Sequence, residues 1–329
     1  MTPSRAQTAT VPLGLILAAA IAVLTSDRPL AQRQPLAPAD FDGDGRTDVA
    51  VFRPSTSVWH ILRSSDGGET QAYWGTPFTD QPAPGDYDGD RRADFAFFCP
   101  PDGYWYITHS ATGQPHYVLW GNFTHTQVAA DYDGDGRTDI AFFNPGDGFW
   151  YIIESATGAA RYVYWGTVAD RATPGDYDGD GKADPAFYRP RTGMWHLTLS
   201  ASGLTREILW GQPGGTDEPV PGDYDGDRIT DVAFFRRADG FWYILLSNAG
   251  QYRPHYISWG GGPADLPVIG DYNGDGRTDP AFFRPSDGYW YILPSGSGPQ
   301  YVRWGATGDQ PVPQNSPPGL QCGTIEIPC

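Results

Sequence analysis

Clusters of aspartate carry the clearest chemistry in this sequence. Between Asp176 and Asp184, four carboxylates stand at positions 1, 3, 5 and 9 of one short segment. Carboxylates this close repel one another and resist ionisation. Oxygen atoms at alternating positions of a loop can surround one hard cation, and six to eight oxygens at roughly 2.3–2.6 Å describe a calcium site. The spacing therefore predicts a calcium-binding loop.

This loop occurs six times, and its first aspartate recurs every 45 to 48 residues. We predict that the side-chain oxygens at positions 1, 3, 5 and 9 bind the ion, and that the backbone carbonyl at position 7 adds a ligand. The predicted side-chain ligands are Asp40, Asp42, Asp44 and Asp48; Asp86, Asp88, Asp90 and Asp94; Asp131, Asp133, Asp135 and Asp139; Asp176, Asp178, Asp180 and Asp184; Asp223, Asp225, Asp227 and Asp231; and Asp271, Asn273, Asp275 and Asp279. The predicted carbonyl ligands belong to Arg46, Arg92, Arg137, Lys182, Ile229 and Arg277.

Other metal sites fit these loops less well. Magnesium prefers fewer protein ligands in a stricter octahedron, and zinc prefers His or Cys, which the loops do not contain. An EF-hand needs a Glu at position 12 and flanking helices, but position 12 here is Val51 or a Phe such as Phe142. Six divalent ions would reduce the formal net charge of −17 by 12 units. We therefore expect up to six Ca²⁺ ions, and a protein that is less stable without them.

Glycine at position 4 of every loop, and at position 6 of four loops, suits the positive φ that a tight loop requires. Loops 2 and 5 carry Arg91 and Arg228 at position 6. A positive φ at these arginines would cost roughly 1–2 kcal/mol each. Loops 2 and 5 are therefore predicted to be the weaker sites.

Short β-strands must position these loops. Each loop precedes an apolar run such as "IAFF" (140–143), an aromatic run such as "FWYII" (149–153), and a third run that ends in Trp-Gly. The runs alternate with a period of two, which predicts strands, and no stretch after residue 30 has a convincing helical period. A unit of about 46 residues with three or four strands has the size of a propeller blade. We predict an all-β fold: a β-propeller of six blades, with seven as the alternative, and a Ca²⁺ loop in each blade.

All twelve tryptophans fall into two columns of the repeat, one in the second strand and one in the Trp-Gly pair. We predict that both columns pack the blades together, in preference to forming a sugar-binding platform. Two segments, "QPLAPADF" (34–41) and "DQPVPQ" (309–314), resemble the connections between units. One of these segments is predicted to close the ring by completing the first blade.

The two ends of the chain differ from the repeats. "VPLGLILAAAIAVL" (11–24) is shorter than the roughly 20 residues of a membrane span and is typical of a secretory signal. We predict a signal peptide over 1–31, with an uncertain cleavage site and an uncleaved anchor as the alternative, a propeller over 32–314 and a C-terminal tail over 315–329. The protein is then secreted, periplasmic or displayed at the cell surface. Cys322 and Cys329 could pair, which leaves Cys99 as a free thiol.

The composition also excludes some functions. A net charge of −17 argues against binding nucleic acid or an anionic membrane surface. Histidines such as His60 and His196 are variants of repeat positions, and no paired carboxylates typical of glycoside hydrolysis occur outside the loops. We therefore predict that the protein is not an enzyme, with a carbohydrate-active site on the rim as a remaining alternative.

The pattern D-x-D-G-D-G-x-x-D, followed by "xAFFRP" and "GxWY", resembles the FG-GAP/VCBS repeat family over about residues 36 to 309. The blades of integrin alpha-subunit heads and of some fungal lectins belong to the same broad group. The resemblance implies a calcium-loaded β-propeller outside the cytoplasm, with the loop positions above as ligands. Integrin-type heads have seven blades, however, and the literal Phe-Gly and Gly-Ala-Pro signatures are missing here.

Two kinds of function remain. The first is an adhesion-type binding module for protein partners, which calcium holds rigid. The second is a calcium-dependent lectin, with pockets between blades lined by Tyr, His and Trp. The sequence names neither the ligand nor the oligomeric state.

Overall fold

The computed structural model describes residues 37–313, except residues 77–79, 123, 248–250 and 263. The predicted signal peptide, the tail and the Cys322–Cys329 pair lie outside the described residues, and the boundaries at 32 and 314 remain predictions. The described part contains no α-helix, and hence no helix that could cross a membrane. It forms six antiparallel sheets of four strands each. The all-β, six-bladed propeller is confirmed.

Each sheet is one blade, and its strands follow from the inner to the outer edge. Blade 1 contains β24 (Gln310–Val312), β1 (Val49–Arg53), β2 (Val58–Leu62) and β3 (Glu69–Tyr73). Blade 2 contains β4 (Gln81–Pro82), β5 (Phe95–Cys99), β6 (Tyr104–Thr108) and β7 (Pro115–Leu119). Blade 3 contains β8 (Thr126–Gln127), β9 (Ile140–Asn144), β10 (Phe149–Ile153) and β11 (Ala160–Tyr164).

The second half repeats this order. Blade 4 contains β12 (Arg171–Ala172), β13 (Ala186–Arg189), β14 (Met194–Thr198) and β15 (Thr205–Leu209). Blade 5 contains β16 (Glu218–Pro219), β17 (Val232–Arg236), β18 (Phe241–Leu246) and β19 (Arg253–Ser258). Blade 6 contains β20 (Leu266–Pro267), β21 (Ala281–Arg284), β22 (Tyr289–Ile292) and β23 (Gln300–Arg303).

The last strand of the described residues completes the first blade. β24 pairs with β1 so that Val312 lies opposite Ala50. The Arg53 guanidinium forms a 2.8 Å ion pair with the nearly buried Asp309. Of the two segments predicted to close the ring, the one at 309–314 therefore does so.

Tryptophan joins the blades as predicted. The second-strand Trp residues are fully buried, and in blade 1 the indole of Trp59 donates to the backbone carbonyl of Trp74, at 2.9 Å. The indole of the half-buried Trp74 in turn donates to the carbonyl of Tyr106 in blade 2. The same two bonds recur at every junction between blades, and Trp304 closes the circle on the carbonyl of His60. Because each indole N–H donates to a carbonyl inside the protein, these tryptophans stabilise the contacts within and between blades.

Candidate metal centres in the acidic loops

The first aspartate of each loop shapes the turn that follows it. In loop 4, the two carboxylate oxygens of Asp176 accept hydrogen bonds from the backbone N–H groups of Gly179 (2.6 Å) and Gly181 (2.8 Å). Both glycines have positive φ, +80° and +87°, a conformation that other residues adopt only at a cost. The carboxylate at position 1 therefore holds the loop in a curve around its own side chain.

The ninth residue anchors the loop in the core. Asp184 is fully buried, and its carboxylate accepts the N–H of Tyr177 at 2.9 Å and the N–H of Ser200 at 2.6 Å. The equivalent aspartates of the other five loops are also fully buried and make the same two bonds. Position 9 thus fixes the loop against the outer hairpin of its own blade.

A serine in that hairpin is a site residue that the sequence analysis missed. The Ser200 hydroxyl donates to the position-5 carboxylate of Asp180 at 3.0 Å, and the next N–H, of Ala201, donates to Asp178 at 3.1 Å. A serine stands sixteen residues after position 9 in each repeat, and each donates to position 5 of its loop: Ser64, Ser110, Ser155, Ser200, Ser247 and Ser295. The constant spacing of these serines in the sequence could have identified them as site residues.

The folding of the loops brings carboxylates together. In each of the first five loops, three aspartates place one oxygen each within 4.8 Å of one another. The grouped residues occupy positions 1, 3 and 9 in four loops and positions 1, 3 and 5 in loop 2: Asp40, Asp42 and Asp48; Asp86, Asp88 and Asp90; Asp131, Asp133 and Asp139; Asp176, Asp178 and Asp184; Asp223, Asp225 and Asp231. In loop 6, position 3 is the amide of Asn273. These oxygens could hold a metal ion.

The donor set suits a hard divalent cation. Every predicted side-chain ligand presents a carboxylate or amide oxygen, and one oxygen of Asp225 is buried without a hydrogen-bond partner among the described residues. A buried carboxylate oxygen without a partner is costly, and a bound cation would satisfy it. The carbonyl ligands at position 7 remain a prediction.

In loops 1 and 3, an arginine of the same loop forms an ion pair with the carboxylate at position 5. The Arg46 guanidinium pairs with Asp44 at 2.5 Å in loop 1, and Arg137 pairs with Asp135 at 2.6 Å in loop 3. A cation that uses position 5 in these loops competes with an arginine of the same loop. The sequence analysis assigned these arginines only through their backbone carbonyls.

Burial raises the pKa of the position-9 carboxyl groups. The pKa rises to about 6 for Asp48, Asp94 and Asp184, and to about 7 for Asp231 and Asp279. Desolvation is the largest cause, neighbouring aspartates add to it, and the backbone hydrogen bonds oppose it. A divalent cation at these positions would offset the same repulsion.

The six loops are joined to one another by backbone hydrogen bonds. The carbonyl of Asp131, at position 1 of loop 3, accepts the N–H of Ala183, at position 8 of loop 4, at 2.6 Å. The same bond links each loop to the next, and the N–H of Thr47 in loop 1 completes the circuit on the carbonyl of Asp271 in loop 6. The candidate sites therefore form one closed ring on one face of the propeller.

Aromatic side chains form a second repeated feature at the junctions between blades. Tyr117, which is 54% exposed, lies parallel to the half-buried Trp74 of the preceding blade, with ring centroids 6.5 Å apart, and Tyr106 contacts both sides of the pair. Three further junctions bring equivalent rings within 6.1–6.3 Å of one another, at interplanar angles of 28–39°: Trp120 and Tyr162, Trp210 and Tyr256, and Trp259 and Tyr301. The other two junctions carry a histidine beside a glutamate instead, His60 with Glu69 and His196 with Glu207.

These observations define a class: a six-bladed β-propeller with an acidic, cation-compatible loop in each blade. Residues 40–97 match the model of the FG-GAP-like repeat, which confirms the predicted resemblance. The matched segment begins at the first loop and runs into the first strand after the second loop, and the same loop and strands recur in all six units. No curated protein matches the sequence of this chain.

Solved structures with the same fold have different functions. A lectin from Agrocybe aegerita that recognises non-reducing terminal N-acetylglucosamine aligns at 16% identity over 78% of this chain and 76% of its own, with a TM-score of 0.52. A streptogramin B lyase aligns at 10% identity over 84% and 86%, with a TM-score of 0.53. A virginiamycin B lyase from Staphylococcus aureus aligns at 10% identity over 82% and 89%, with a TM-score of 0.50. At such identities the likeness concerns the fold alone, which does not determine function.

Proposed function

We propose that this protein is a calcium-stabilised binding module that works outside the cytoplasm and recognises its ligand without catalysing a reaction. The closed ring of acidic loops is the main support for this proposal. The carboxylates within each loop repel one another unless a cation neutralises them. Calcium at the millimolar levels typical of extracellular modules would fill such sites. A rigid ring then presents the blade junctions and loop tips to a partner.

The proposed ligands of each ion are the side chains at positions 1, 3, 5 and 9 and the carbonyl at position 7. The ion supplies positive charge, and the protein supplies the geometry. Asp at position 1 curves the loop, Asp at position 9 fastens it to the core, and the hairpin serine orients position 5. Since binding to the folded state alone stabilises it, each site occupied at a hundred times its Kd would contribute about 2.7 kcal/mol.

A melting experiment tests this proposal. Purified protein from residue 32 onward should contain several calcium ions per chain, and it should melt at a markedly lower temperature after chelation. Asp133→Ala, in loop 3, should remove about one ion and lower the melting temperature modestly. Asp66→Ala, which removes an exposed aspartate outside the loops, is the matched control. Protein that holds no calcium and melts identically with and without chelator would overturn the proposal.

A lectin is the second candidate, and the aromatic junctions between blades favour it. An exposed tyrosine over a half-buried tryptophan offers an apolar face of the kind that packs against a sugar ring, and adjacent hydroxyl and charged groups supply hydrogen bonds. The Agrocybe aegerita lectin, with the same fold, recognises terminal N-acetylglucosamine, so sugars with that terminus are the first to test. Several such junctions on one ring would bind a multivalent glycan tightly.

A glycan array separates the two candidates. A lectin should bind the array in calcium and lose that binding in chelator, while a module for protein partners should give no signal. Tyr117→Ser should weaken binding, whereas Gln71→Ser, at the equivalent position of a junction without the aromatic pair, should not. We also infer that the protein is not an enzyme, because histidines such as His60 and His196 are variants of repeat positions and carboxylates outside the loops are engaged in ion pairs such as Arg189–Asp170.

A further inference from the structure

Two departures from the repeat meet at the junction between blades 4 and 5. Position 7 of loop 5 is Ile229, where the other five loops carry arginine or lysine. The hairpin of blade 5 closes between Leu246 and Arg253 and is two residues longer than the equivalent hairpin of blade 4, which closes between Leu199 and Leu204. Features that recur in all six blades are explained by the common architecture. Two exceptions at one junction are not, so this junction is a candidate for a specific function.

A cavity of about 260 Å³ opens between these two departures. Ile229, Val232 and Tyr177 form an apolar floor, because Val232 and Tyr177 are buried and Ile229 packs over Gly179 of the preceding loop. Arg206 and Tyr252 supply polar groups, and Thr230 and Ser247 also line the cavity. The volume lies just below the roughly 300 Å³ at which drug-sized ligand pockets begin, so it suits a single small group.

Arg206 bridges the two blades at the mouth of this cavity. Its Nη1 donates to the Tyr252 hydroxyl at 2.7 Å, and its guanidinium lies 6.0 Å from the Tyr252 ring. A guanidinium has five N–H donors, and Arg206 makes no ion pair with any residue of the described part of the chain. Arg161, at the same position of blade 3, instead pairs with Glu154 at 3.3 Å and lies over Tyr132. Arg206 therefore keeps donors available at the cavity.

We propose that this cavity binds one acidic sugar residue, a hexuronate. The planar fork of Arg206 matches the sugar carboxylate, which a lysine would bind with less geometric definition. The Tyr252 hydroxyl accepts from Arg206 and keeps its own proton to donate to a sugar hydroxyl. Ile229 and Val232 pack against the C–H face of the ring. A hexuronate combines the carboxylate, the hydroxyl groups and the apolar face that this lining requires, in a body of suitable size.

This inference deepens the proposed function and depends on it in one respect. Asp178 of loop 4 also lines the cavity, and its carboxylate would repel an anion unless a cation occupies the loop. The hexuronate should therefore bind the calcium-loaded protein more tightly than the chelated protein. Calcium-dependent stability and sugar binding are separate measurements on the same samples, so the two proposals can fail separately.

Calorimetric titration with sodium D-glucuronate, in calcium, tests the inference. We expect one site per chain. D-glucose, which lacks the carboxylate, and butyrate, which lacks the hydroxyl groups, should bind at least about tenfold more weakly.

Arg206→Gln should weaken glucuronate binding at least about tenfold, and Tyr252→Phe should weaken it less. Arg161→Gln, the matched change in blade 3, should leave binding unchanged. Ile229→Arg should fill the cavity with the side chain that other junctions already accommodate, and should abolish binding without lowering the melting temperature.

Several outcomes would overturn the inference. Equal affinity of Arg206→Gln and the unaltered protein would show that glucuronate binds elsewhere. A stoichiometry near four would point to the aromatic junctions instead. Butyrate that binds at least as tightly as glucuronate would refute the recognition of a sugar. Where calcium still raises the melting temperature in these samples, the binding-module proposal survives any of these results.

Discussion

The backbone N–H of Thr47 donates to the carbonyl oxygen of Asp271 at 2.7 Å, and the backbone N–H of Asp271 donates back to the Thr47 hydroxyl at 3.0 Å. These residues lie 224 positions apart, and their two bonds join the last acidic loop to the first. The threonine side chain also fills the space beside Gly270, where a Cβ atom would stand 2.5 Å from the Thr47 hydroxyl oxygen. Residue size at the two positions is therefore coupled.

The coupling recurs at all six contacts between loops. Gly85 faces Thr138, Gly175 faces Thr230 and Gly222 faces Thr278, as Gly270 faces Thr47. At the remaining two contacts both residues are alanine: Ala39 with Ala93, and Ala130 with Ala183. Each contact thus holds either a glycine and a threonine or two alanines.

Gly270→Ala should destabilise the protein by about 1–3 kcal/mol, because the added methyl group overpacks the contact with Thr47. The double variant Gly270→Ala/Thr47→Ala recreates the pair found at Ala130 and Ala183, and should recover part of that loss, since it relieves the overpacking but also removes the hydroxyl that accepts from Asp271. Urea denaturation of the four proteins gives the coupling energy as a double-mutant cycle. Additive effects of the two substitutions would contradict the proposed contact.

Relief of backbone strain should strengthen loops 2 and 5. Arg91 and Arg228 have φ of +71° and +70°, as their position predicted. Replacing either with glycine removes roughly 1–2 kcal/mol of strain, partly offset by the greater freedom of glycine in the unfolded chain. We expect a net gain of up to about 1 kcal/mol in thermal melts. Arg92→Gly, one residue further on where φ is not positive, should give no gain, and a gain there would argue against the strain explanation.

The pH dependence of stability should differ between metal-free and calcium-loaded protein. Folding raises the pKa of Asp231 and Asp279 from 3.8 to about 7 through burial. Folded metal-free protein then holds protons that the unfolded chain has released, so this contribution is full below about pH 4 and is lost as the pH rises through 7. Protein dialysed free of calcium should melt at a higher temperature at pH 5 than at pH 8.

Calcium should reverse that order, because protons compete with the cation for the same carboxylates. Melting curves from pH 5 to pH 8, with and without calcium, provide the measurement. A metal-free protein that becomes more stable between pH 5 and pH 8 would disagree with the raised pKa values.

Removal of β24 should open the ring. A chain that ends at Gly308 loses the ion pair between Arg53 and Asp309 and the burial of Val312, which alone contributes about 2 kcal/mol. It also exposes the edge of β1, which invites aggregation. A chain that ends at residue 314 keeps β24 and is the control. Size-exclusion chromatography and melting curves compare the two, and equal stability would show that ring closure contributes little.

Repetition made most of the fold predictable. Six copies of one unit allow each position to be compared within the chain, so constant columns such as Ala50 and Trp59 stand out. Both are fully buried. The same comparison placed the aspartates correctly at one loop per blade, since their spacing within a loop is local.

Contacts between units were harder to infer. The segments at 34–41 and 309–314 look alike, and only the paired strands show that Val312 joins Ala50. The match between Gly85 and Thr138 joins neighbouring units, so it becomes visible only when the neighbour is known. The cavity beside Ile229 lies where an atypical residue at position 7 meets the longer hairpin of blade 5. Neither feature belongs to the repeat, so comparing the repeats does not reveal the cavity.

Closure of blade 1 by the end of the chain has a consequence for biogenesis. A polypeptide leaves the ribosome from its N-terminus, so β1 is synthesised before its partner strand at Gln310–Val312. The earliest blade to be translated is then the last to be finished. A chain that stops before Gln310 cannot complete blade 1, and the edge of β1 stays unpaired until β24 has been synthesised.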